Sequence, residues 1–93
     1  MRCVPRGSLP MHEMSLALEI CRLTEEKLPA EELPRLLRVG VVVGDQANVE
    51  TSNLEFCLEA LLSAPPFGRA RPVMSTVPGT DLSVNFFEVE DGG

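Results

Sequence analysis

Apolar residues recur at helical spacing between Met14 and Leu28, alternate from Arg35 to Val43, and return to helical spacing after Ser52. They alternate again from Arg69 to Val77 and from Asp81 to Glu90. In the first segment Glu13, Leu16, Ala17, Ile20, Leu23, Thr24 and Leu28 share one broad face, which predicts an amphipathic helix over 14–28. Arg22 can pair with Glu25 or Glu26 on the outer side. Pro29 stops this helix, because it restricts the residue before it and has no amide hydrogen. Pro29 to Pro34 then reads as a short acidic connection.

The first strand places Leu37, Val39, Val41 and Val43 on one face and Leu36, Arg38, Gly40 and Val42 on the other. Gly44-Asp45 is a turn signal, and Ser52-Asn53-Leu54-Glu55 is a capping-box pattern for a second helix. Leu54, Cys57, Leu58, Leu61 and Leu62 make the buried stripe of that helix. Phe56 lies off the stripe; it is either an exposed contact for a partner protein or a residue wedged between sheet and neighbouring helix. Pro65-Pro66 stops the helix. Pro72 assigns the strand over 69–77 to a sheet edge, since proline cannot donate to a ladder. In the last strand Leu82, Val84, Phe86 and Glu88 alternate with Ser83, Asn85, Phe87 and Val89. Pro78-Gly79 between the two strands predicts an antiparallel hairpin. The expected fold is α+β: two helices packed on one face of a small three-stranded sheet, in the order helix, strand, helix, strand, strand.

Residues 11–90 make one domain, flanked by a tail over 1–10 and a frayed end over 91–93. The tail has two prolines, a glycine and no periodicity, and Val4-Pro5-Arg6-Gly7-Ser8 resembles a protease site used in expression tags. It is read as disordered or tag-derived and left out of the fold. A net charge of −6 argues against nucleic-acid binding, which needs a basic surface to neutralise phosphates. Three cysteines without a CxxC pair give no framework for structural zinc and suggest a reducing compartment. Cys21 and Cys57 fall on helical patterns as small apolar residues, whereas Cys3 is incidental in the tail. No run approaches a membrane span, so a cytoplasmic location is the expectation. No phosphate loop, nucleophile elbow or Cys/His pair at a telling spacing is present, so a catalytic role is not expected. The edge over 69–77 could pair two copies as a homodimer.

The remaining chemistry lies at Met11-His12-Glu13, which holds the single histidine of the chain. In a chain beginning at Met11, the free amine, the His12 amide nitrogen and the His12 imidazole close two fused chelate rings. The Glu13 amide nitrogen supplies a fourth in-plane donor. Such a nitrogen-rich square plane suits nickel(II) or copper(II), and it weakens at low pH because its ligands must lose protons. The Glu13 side chain could instead orient the imidazole or contact a partner. The plain alternative is a lone surface histidine beside a helix start.

The run Met11-His12-Glu13-Met14-Ser15-Leu16-Ala17 resembles the opening of the HypA/HybF family of hydrogenase nickel-incorporation accessory proteins. The resemblance continues through Arg38-Val39-Gly40-Val41-Val42-Val43-Gly44-Asp45 and through Leu54 to Leu61, and it closes over Leu82 to Glu90. It implies nickel binding at Met11, His12 and Glu13. It also implies a metallochaperone role in [NiFe]-hydrogenase maturation, with a GTPase and the hydrogenase large subunit as partners. The chain departs from the family in two ways. The family carries a zinc module with two CxxC pairs between its last two strands, where this chain has only Val77 to Asp81, so no structural zinc is expected. Ten residues precede Met11, and while they remain attached Met11 has no free amine. On the alternative view the chain is a relative that binds a maturation factor without handling metal, using Phe56 and the hairpin edge.

Overall fold

The computed structural model describes residues 8–91. The expectations for Cys3 and most of the leading tail, and for the frayed final glycines, lie outside the described residues. Helix α1 spans Ser8–Lys27 and so begins earlier than the periodicity suggested. Pro10 falls in its first turn, where a missing amide hydrogen has no intrahelical acceptor to lose and the proline φ already suits a helix. Glu13, Ala17, Ile20, Cys21 and Thr24 form its buried side, with Leu16 and Leu28 packed against the core at its margin. Arg22 pairs with Glu26, as expected, and with Glu19 rather than Glu25. The acidic connection is a 3-10 helix, Ala30–Arg35, that buries Leu33.

Strands β1 (Leu36–Gly44), β2 (Arg71–Val77) and β3 (Leu82–Val89) form one sheet in the order β2-β1-β3. β1 runs parallel to β2 and antiparallel to β3. The expected β2–β3 hairpin is therefore not formed. The most apolar strand takes the centre, where Val39, Val41 and Val43 are fully buried; a hairpin would leave that strand at an edge. The parallel pairing is made possible by α2 (Thr51–Leu62), which carries the chain back from β1 to β2. Residues 78–81 then cross the end of β1, over about two strand spacings. Gly44 N donates to Asp81 O at 2.7 Å, Asp45 N to Val77 O at 2.8 Å, and Gln46 N to Gly79 O at 2.7 Å. A Cβ on Gly44 would stand 2.5 Å from the Gly79 carbonyl oxygen, so this crossing requires glycine. β2 lies at an edge, in keeping with Pro72.

Two bulges change the predicted alternation. Leu36 pairs with Val89 and Arg38 with Glu88, leaving Leu37 as an extra residue on β1. Leu36 is thereby buried with the valines, and Leu37 is turned out, the reverse of the expectation. Gly40 pairs with Phe86 and Val41 with Val84, leaving Asn85 extra on β3. Leu82, Val84, Phe87 and Val89 consequently all pack against the core, while Phe86 faces away from it.

In α2, Leu54, Cys57, Leu58 and Leu62 are buried. Its N-cap is Glu50, whose side chain accepts from Ser52 N at 3.3 Å and from Ser52 Oγ at 2.7 Å. The Ser52-to-Glu55 box thus lies inside the helix rather than at its cap. The fold is α+β, with both helices on one face of the sheet. Among the described residues no helix is long and apolar enough to cross a membrane.

Candidate metal centre

Met11, His12 and Glu13 lie consecutively in α1. Met11 enters through its helical backbone alone. His12 is exposed, so its imidazole reaches solvent. Glu13 is 4% exposed and stands at the head of the buried face. A buried carboxylate needs donors, because an unpaired charge in the interior costs several kcal/mol or more. It finds them at the start of α2: one oxygen accepts from the Glu50 backbone N–H at 3.2 Å and the other from Asn53 Nδ2 at 3.2 Å. The helix dipole adds to this attraction, since α2 presents the positive end of its backbone there.

The loop that delivers α2 to Glu13 is short. It leaves β1 at Asp45 and reaches the Glu50 cap through Asn48, whose φ of 61° is a left-handed turn that asparagine tolerates. Glu13, Asp45, Asn48, Val49 and Glu50 line a shallow cleft of about 290 Å³ between α1 and this loop.

The square-planar chelate drawn from the sequence is not assembled in this conformation. Met11 N is a peptide nitrogen bonded to Pro10, not an amine. The His12 and Glu13 amides lie in an α-helix, where amide hydrogens are held by carbonyls four residues earlier. Their deprotonation as metal donors requires the first turns of α1 to open. Both Glu13 side-chain oxygens are engaged with α2, whereas the His12 imidazole is accessible. Among the described residues no three His, Cys, Asp or Glu side chains converge as a metal site. Cys21 is not a candidate ligand, for burial, followed by the charge of Glu25, pushes its thiol up to about 11.

Phe56 is 69% exposed on α2, so the wedged alternative does not hold. Glu50 and Asn53 are the residues missed by the sequence reading. The available signal was Glu13 itself, the one charged residue on a largely apolar helix face.

Residues 11–81 match the family described as "Hydrogenase/urease nickel incorporation, metallochaperone, hypA". The chain is 38% identical over 69 residues to Hydrogenase maturation factor HypA of Azotobacter chroococcum mcd 1, covering 74% of this chain and 61% of that protein. It is 35% identical over 69 residues to the protein of the same name from Azotobacter vinelandii, with the same shares covered. A third, from Dechloromonas aromatica (strain RCB), is 31% identical over 85 residues, covering 77% of this chain and 75% of its own length. The chain thus spans about three-fifths of the length of the first two relatives. The match opens at Met11 and runs through both helices and β1, and the chain belongs to the HypA family of nickel-incorporation proteins.

Proposed function

We propose that the chain is a nickel-binding, non-catalytic accessory protein of [NiFe]-hydrogenase maturation that acts in the cytoplasm. The observation that carries this reading is the start of the family match at Met11, the residue that opens the only amine–amide–imidazole chelate the sequence can form. Nickel is cargo in this account. His12 anchors it through the imidazole, and Met11 and Glu13 supply main-chain nitrogens once the first turns of α1 open. The Glu13 carboxylate does not ligate; it holds the start of α1 against α2, so the metal-bearing end stays on the folded domain. The partners are a maturation GTPase and the hydrogenase large subunit.

Calorimetric nickel titration of a chain beginning at Met11, beside its His12→Ala variant, tests the reading. A single site in the first that is lost in the second is expected. Equal and weak binding by both would sink it.

Exposed Phe56 favours a second reading, in which the chain is an interaction module that docks a maturation factor without handling metal. Partner binding that survives His12→Ala and is lost in Phe56→Ala would select it.

A further inference from the structure

The helices cover one face of the sheet, and among the described residues nothing covers the other. A mixed sheet can leave one face to solvent, but that face is then ordinarily polar. Here that face carries Val73, Val77 and Phe86, with Leu37 beside them at the bulge; they are 40%, 41%, 39% and 39% exposed. Among the described residues, four of the six large exposed apolar side chains are thus gathered on one surface, whereas Leu18 and Phe56 lie on helices. The surface is built rather than accidental. Val73 and Phe86 are both register partners of Gly40, and a Cβ at Gly40 would collide with the Phe86 ring. The ring therefore lies over the central strand, where a side chain would otherwise stand.

Charge distinguishes this face from the rest of the chain. The chain carries a net −6, yet Arg38 and Arg71 stand side by side in register here. Arg38 pairs with Glu88 across β3. Among the described residues Arg71 is in no ion pair. Like charges directly opposed across strands are destabilising, and with Arg38 held by Glu88 the uncompensated charge is that of Arg71. A second copy of the chain packed on the same face would bring another Arg71 and an already paired Glu88.

We propose that the open face of the sheet receives an amphipathic helix of a partner protein, with an apolar stripe on Val73, Val77 and Phe86 and a carboxylate on Arg71. The dimensions agree. Three strands of about seven residues make a face roughly 23 Å long, which a helix of about 15 residues spans. The domain then becomes three-layered, helices–sheet–helix, with His12 and Phe56 left clear because they lie on the helical layer.

Two synthetic 16-residue helical peptides with the same leucine stripe serve as probes, one flanked by glutamates and one by lysines. Each is titrated into 15N-labelled protein. The acidic peptide is expected to shift the amides of Gly40, Val42, Val73 and Ser75 and to bind at least ten-fold more tightly than the basic one. Arg71→Glu should reverse that preference, and Phe86→Ser should weaken the acidic peptide ten-fold or more. Val73→Ser serves the same purpose if Phe86→Ser does not fold. Equal affinity for both peptides, or shifts confined to α1 and α2, overturns the proposal. Shifts of this face with protein concentration alone would assign it to a second copy instead. Shifts produced by deleting residues 1–7 would assign it to the chain's own leading segment.

Discussion

Replacing Glu13 by alanine removes the carboxylate that joins the start of α1 to the start of α2. Two hydrogen bonds are lost, one from the Glu50 amide and one from Asn53, each at 3.2 Å. Hydrogen bonds to a charged acceptor contribute roughly 1.5–3 kcal/mol each, and these are at the long end of the normal range, so the lower figure applies. The Glu50 N–H also loses its acceptor, and the favourable charge at the helix N-terminus disappears, worth roughly 0.5 kcal/mol. The expected destabilisation is about 3.5 kcal/mol. For a domain of this size that lowers the melting temperature by roughly 14–28 °C. Asn53→Ala alone should cost about 1.5 kcal/mol. Because the Asn53 bond is shared, the double variant should be less destabilised than the sum of the two, by roughly 1.5 kcal/mol. Urea unfolding of the four proteins, followed by circular dichroism, measures the cycle. A Glu13→Ala variant within about 0.5 kcal/mol of the parent would refute the buried tether, as would strict additivity with Asn53→Ala.

Gly44→Ala should destabilise by about 2–3 kcal/mol or prevent folding, because its Cβ meets Gly79 O at 2.5 Å and Asp81 O at 2.9 Å, both backbone atoms that cannot turn aside; thermal melts report it. Cys21 should resist alkylation at pH 8 in the folded protein, since burial pushes its thiol up to about 11. The sign of the linked stability follows from the same shift: a raised folded value favours the neutral thiol. Its contribution is thus full below the ordinary value of 9.0 and is lost as pH rises toward about 11. Cys21→Ala should remove that alkaline fall while lowering stability at neutral pH, as measured by denaturant titration across that range. Phe56→Ser should change stability by less than about 0.5 kcal/mol, given its exposure, so any loss of partner binding in that variant reports contact rather than unfolding.

The types and order of the elements were legible in the sequence because hydrophobic period distinguishes helix from strand without long-range information. The apolar faces of both helices were legible for the same reason, and so was the edge position of β2, through Pro72. The strand pairing was not. Pro78-Gly79 between two alternating runs has the form of a hairpin turn, and local spacing does not reveal that the connection crosses a third strand. The bulges at Leu37 and Asn85 were equally hidden, since each inserts one residue and inverts the faces beyond it. At the candidate site, periodicity placed Glu13 on the buried face of α1 without naming its partners. Those partners, Glu50 and Asn53, come from a helix about forty residues away and meet Glu13 only through tertiary packing. The first turns of α1 were missed because Pro10 reads as a breaker in sequence, though it is harmless in a first turn.

The central claim is that nickel is held by a main-chain chelate at Met11 and His12 that requires a free amine and an opened first turn. Nickel titration of a chain beginning at Met11, beside the 93-residue chain, tests it most directly. Absorbance reports the square-planar nickel band, and far-ultraviolet circular dichroism reports the helix. The account predicts one such site in the shorter chain, formed with a small loss of helicity, and at least a hundred-fold weaker binding in the longer one. Equal affinity in both chains, or binding in the shorter chain without the square-planar band, would contradict it.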